Sequence, residues 1–161
     1  METAAAGRNV RAMATEHLDQ EARRYTRRTR TAMALEGVLA LALGGVGGVA
    51  ALAADTATVT VAGFRLGLPQ FAVLAGLGAL LLVSLRSRTA LRRAAVVSAV
   101  VATAMFVAGG AHYPHGAWDM NIAGIFLPAA IALAGFVEYV FLSSVEFVSA
   151  PSDTPNPAER A

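Results

Sequence analysis

The chain contains no cysteine and no lysine, and it is poor in charge of either sign. The missing cysteine excludes disulfides, thiol catalysis and thiolate-ligated metal sites. It also excludes the quinone-linked thiol oxidoreductases, a class that otherwise suits a small four-helix membrane protein. Charged residues make up 15% of the 161 positions, where an average soluble domain has about 25%. The 13 basic residues are all arginine, in a background rich in alanine, valine and glycine; this is the coding bias expected of a GC-rich bacterium. Several motifs are missing too. There is no glycine-rich phosphate loop, no serine nucleophile elbow, no HExxH, no DxxDG-type acidic pair and no desaturase-like array of histidines.

What fills the chain instead is apolar sequence, 56% of it. About 20 apolar helical residues cross a hydrocarbon core about 30 Å thick. Four runs approach that length, at 32–54, 68–85, 91–110 and 120–142. The expected fold is therefore an all-α integral membrane protein, an antiparallel bundle of four transmembrane helices joined by short connections. Residues 1–31 read as a basic cytoplasmic segment, 32–148 as the transmembrane domain and 149–161 as a disordered tail containing Pro151, Pro155 and Pro157. Ala51-Leu52-Ala53 resembles a signal-peptidase site. The long polar stretch before the first run, and Glu36 within it, argue against cleavage.

Between the first two runs, Thr58-Val59-Thr60-Val61 and Phe64-Arg65-Leu66 flank Ala62-Gly63. β-branched residues alternating around a glycine-containing turn predict a short hairpin. A lone hairpin is marginal in water, so this one is expected to rest on the bundle or on the lipid surface. Pro69 suits the first turn of the second helix.

Arginine placement predicts orientation. Residues 1–31 carry seven, 86–93 carry four and the tail carries Arg160, whereas the loop 55–68 carries only Arg65. The positive-inside rule then puts both termini in the cytoplasm of a plasma (inner) membrane and the hairpin outside. The N-terminal segment, with arginines at 23, 24, 27, 28 and 30, reads as an orienting flank or as an interfacial helix held by anionic lipid. No helix-turn-helix pattern supports nucleic-acid binding.

The candidate site residues are Glu36, Glu138, His115 and Asp119. At 1.5 Å per residue, Glu36 and Glu138 each lie about 10 Å from the centre of their run, toward the same side. Both fall inside a hydrocarbon half-thickness of about 15 Å. A carboxylate at that depth is costly and faces a partner or a cavity unless it snorkels to the edge. One reading is a structural ion pair with Arg86 or Arg92. Another is a proton-exchanging pair lining a cavity. The position of Glu36, in the first of four spans, resembles that of the small multidrug-resistance transporters; the likeness covers that one residue, and the longer loops depart from that family.

The loop before the last run reads His112-Tyr113-Pro114-His115-Gly116-Ala117-Trp118-Asp119. Two histidines and a carboxylate could bind a divalent metal, but Pro114 and Gly116 interrupt any helical spacing and no third histidine is near. The alternatives are an acid–base role for His115 and Asp119 and, for Tyr113 and Trp118, an aromatic belt at the outer interface. Asp119 or Asn121 is expected to cap the last helix. Pro128 removes one backbone hydrogen bond inside that helix, from the carbonyl of Gly124. Gly44 and Gly48 form a small-xxx-small pair suited to close helix packing.

No cofactor and no metal is expected from these residues. The expected partners are the lipid bilayer, a second copy or another membrane protein, and a lipophilic small molecule. Three function classes follow. The first is a non-catalytic subunit or interaction protein of a membrane complex. The second is a membrane-embedded acid–base isomerase or cyclase acting on a lipophilic substrate. The third is a small proton-coupled transporter.

Overall fold

The computed structural model describes residues 2–111 and 120–149. In chain order they form α1 (Glu2–Ala54), β1 (Thr58–Val61), β2 (Phe64–Gly67), α2 (Leu68–Ser84), α3 (Arg88–Ala111) and α4 (Ile122–Ser149). The described chain is thus mostly helical, with four helices and one two-stranded antiparallel sheet. Arg24–Ala54, Arg88–Ala111 and Ile122–Ser144 are each long and apolar enough to cross a membrane, and α2 is a shorter apolar helix of 17 residues.

The basic N-terminal segment is not a separate element. α1 is one helix of 53 residues, so it extends for about 80 Å. The reason is local: residues 8–36 contain neither glycine nor proline, so nothing interrupts the helix before the apolar run begins.

The expected hairpin forms with Val61 paired to Phe64 and Thr58 to Gly67. Both residues of its turn have positive φ, 50° at Ala62 and 86° at Gly63, as a two-residue hairpin loop of matching twist requires. The hairpin rests on the bundle: Leu66 is fully buried with Phe71, Leu74, Met105 and Met120, and Val59, Val61 and Phe64 pack against that cluster. β2 runs directly into α2, with Gly67 extended at the helix start and Pro69 in the first turn. At the far end of α2 only three residues separate it from α3. There the Ser87 hydroxyl accepts a hydrogen bond from the Ala90 N–H at 3.1 Å and caps α3.

The helices associate as two close pairs, α1 with α2 and α3 with α4, through small residues. A Cβ at Gly44 would sit 2.6 Å from the Phe71 carbonyl oxygen, and one at Gly78 would sit 2.6 Å from the Gly37 carbonyl oxygen. On the other pair, a Cβ at Gly135 would lie 2.9 Å from the Ala95 carbonyl oxygen. The expected Gly44–Gly48 pair is therefore half right. Gly44 meets α2, but a Cβ at Gly48 would reach nothing closer than the Phe71 Cβ at 3.9 Å. The contact face runs through Gly37, Gly44 and Gly47, where Gly47 takes the Phe71 ring.

Larger side chains hold the pairs together at the arginine-bearing end, where Met33, Leu81, Leu91 and Leu142 form a buried cluster. Beyond it, Tyr25 stacks on Phe141 with ring centroids 6.3 Å apart. Hydroxyl groups on the helices bond back to their own backbone, as Thr103 does to the Ala99 carbonyl at 2.7 Å. The outward faces remain apolar: Val49 and Leu52 are 68% and 69% exposed, and Val100, Val107, Phe126 and Phe136 are also exposed.

Candidate functional site

The two close pairs leave a cavity of about 620 Å³ between α1 and α4. Its floor at one end is the hairpin, through Ala62 and Phe64, and its wall includes Leu74 of α2. Glu36 and Glu138 are its charged residues; all other lining side chains are apolar. Each carboxylate lies about one helical turn inward from the Met33–Leu142 cluster that closes the arginine-bearing end. Leu35 and Leu39, both on its rim, are 60% exposed, so the cavity opens sideways between α1 and α4.

The sequence creates this cavity by spacing. On α1, Ala32 and Ala40 stand four residues either side of Glu36; on α4, Ala130 and Ala134 precede Glu138 at the same interval. Residues four apart share a helix face, so each glutamate shares a stripe with methyl-sized neighbours and room remains in front of it. Glu138 is 7% exposed and Glu36 is half-buried. Oε1 of Glu36 and Oε2 of Glu138 are buried and have no hydrogen-bond partner among the described residues. A buried acceptor left so costs about 1–3 kcal/mol, and more when charged.

Neither arginine named in the ion-pair reading lines this cavity. Arg86 is exposed. Arg92 stacks over the Tyr139 ring, its Cζ 5.5 Å from the centroid, and lines a different recess. Arg88 points Nη2 at the Leu142 carbonyl, 3.5 Å away.

The capping expectation resolves in favour of Asn121. Its Oδ1 accepts from the Gly124 N–H at 2.8 Å, the N-cap bond of α4, and from the Arg65 N–H at 3.0 Å. Its Nδ2 donates to the Gly63 carbonyl at 2.8 Å. One side chain thus caps α4 and pins the hairpin across the bundle end. α4 continues through Pro128, whose ring is fully buried. His112, His115 and Asp119 lie outside the described residues, as does the tail after Ser149.

Comparison with protein-family models, with curated proteins and with solved structures finds no match to this chain.

Proposed function

We propose that this chain is a four-span integral membrane protein that binds a lipophilic molecule bearing a cationic or hydrogen-bond-donating head in the cavity between α1 and α4. The observation that carries the reading is the pairing of Glu36 and Glu138 at one end of an otherwise apolar, laterally open space. A volume of about 620 Å³ falls within the range of about 300–1,000 Å³ typical of small-molecule sites. The sideways opening supports entry from the bilayer rather than from water. Three long apolar helices with exposed apolar faces support membrane insertion. α2, at 17 residues, meets the lower end of the spanning range of about 17–25.

Such binding is the common requirement of a carrier and of an acid–base enzyme, since either would use the two carboxylates to hold or move a proton on the bound molecule. The test is equilibrium binding of dodecylammonium, dodecanol and dodecanoate to the purified full chain. Charge-assisted bonds contribute about 1.5–3 kcal/mol. The amine should therefore bind roughly 10–100-fold more tightly than the alcohol, and the carboxylate most weakly. Equal affinity for all three heads would remove the role given to the glutamates. Ala134→Phe, which fills the cavity and leaves both carboxylates in place, should abolish binding of every probe.

A second reading, a non-catalytic subunit of a membrane complex, is supported by α1, which continues about 30 residues before the first apolar run. Native mass spectrometry of the protein taken gently from its own membranes separates the two. A protein partner at fixed stoichiometry favours the subunit, and a retained small molecule without one favours the binding protein.

A further inference from the structure

A second recess, of about 630 Å³, lies between α3 and α4 and shares no lining residue with the cavity that holds Glu36 and Glu138. Thr89, Arg92 and Arg93 line one end of it, Val96 and Val97 lie about one turn further along α3, and Tyr139 of α4 forms its wall. The Tyr139 ring lies under the Arg92 guanidinium and fixes its plane. Val96 and Val97 are 41% and 42% exposed. The recess therefore has a cationic head and an apolar body in the order that an amphiphile of one leaflet presents them.

We propose that this recess binds an anionic phospholipid, with its phosphate at Arg92 and Arg93 and an acyl chain along Val96 and Val97. The inference rests on the membrane reading above and is independent of what the other cavity holds. Charge selects the occupant. Arg86 and Arg88 add to the positive end, and neither α2 nor α3 carries an acidic residue, whereas α4 carries Glu138 and Glu146. A basic pocket between helices at the level of the headgroups suits a phosphate diester. The valines select against a soluble anion, which would gain nothing from them. A zwitterionic lipid would bring its own cation close to the arginines.

The experiment uses the purified full chain in detergent, titrated with phosphatidylglycerol or phosphatidylcholine, with lipid adducts counted by native mass spectrometry. The wild type should retain one phosphatidylglycerol with a preference of roughly 10–30-fold. Arg92→Gln/Arg93→Gln should lose the preference, and Arg27→Gln/Arg28→Gln, altering exposed arginines of α1, should keep it. Tyr139→Leu, which removes the ring beneath Arg92, substitutes for the double variant should the latter not fold. Equal retention of the two lipids by the wild type would overturn the proposal. So would an equal loss in the α1 variant, which would mark a diffuse basic surface, or displacement of the lipid by inorganic phosphate alone. Failure of the membrane reading registers separately, as release of the chain from membranes by alkaline carbonate.

Discussion

At Asn121 one amide side chain makes three hydrogen bonds, to Gly124, Arg65 and Gly63. Loss of an N-cap alone costs about 0.5–2 kcal/mol, so Asn121→Ala should lower Tm and speed amide exchange at Arg65. Unchanged exchange there would mean that apolar packing alone holds the hairpin. Ala62 is the strained partner of this arrangement, because a φ of 50° costs a residue with a Cβ about 1–2 kcal/mol. Ala62→Asn restores the Asn-Gly pair that such turns prefer and should raise Tm; a fall would show that the Ala62 methyl matters more to the cavity floor. Both features were legible in the sequence, Asn121 as a cap candidate and Ala62-Gly63 as a turn. Glu36 and Glu138 were legible as deep carboxylates from their depth alone. A cavity lined by both was one of two readings beside an ion pair, and the sequence did not choose between them, because the runs are so evenly apolar that hydrophobicity cannot orient the side chains. The signal was size: alanines at intervals of four from each glutamate mark the face where space is left. His112, His115 and Asp119, legible as a polar cluster, lie outside the described residues.

Among the elements, the α1–α2 contact depends on backbone approach, which small residues permit. Gly78 and Gly76 lie two residues apart on α2, yet a Cβ at Gly78 would meet the backbone of Gly37 and Leu41, whereas one at Gly76 would meet nothing within 4 Å. Gly78→Val should therefore force the pair apart, at a cost of about 1–3 kcal/mol or more. Gly76→Ala should stabilise the helix by up to about 1 kcal/mol. Equal effects of the two changes on Tm in matched detergent would disprove this assignment of faces. The sequence revealed the glycines but not their phase: the Gly44–Gly48 spacing is attractive on a straight helix, and the actual face drifts through Gly37 and Gly47. Element boundaries were legible wherever a breaker stands, as at Gly67-Leu68-Pro69. Where none stands, as in residues 8–36, α1 runs on past the expected edge of the basic segment.

For the molecule as a whole, the proposed topology depends most on α2, the shortest helix. Its 17 residues span about 26 Å, against a hydrocarbon core of about 30 Å. The adjoining hairpin and the arginine-bearing turn would anchor its two ends at opposite surfaces. The absence of cysteine makes the test direct. Thr60, on the hairpin, and Arg86, after α2, are both exposed and flank this one helix. In intact cells a membrane-impermeant maleimide should label Thr60→Cys and spare Arg86→Cys until the membrane is opened. The reverse pattern would keep α2 as a span but invert the molecule, placing the recess with Arg92 and Arg93 in the other leaflet. Labelling of both sites from one side would mean that α2 does not cross. Glu36 and Glu138 would then line a space between two spans, α1 and α4, closed by the hairpin and a surface helix. The arginine count favours the first outcome, because inversion would carry twelve arginines to the outer side and bring only Arg65 inward.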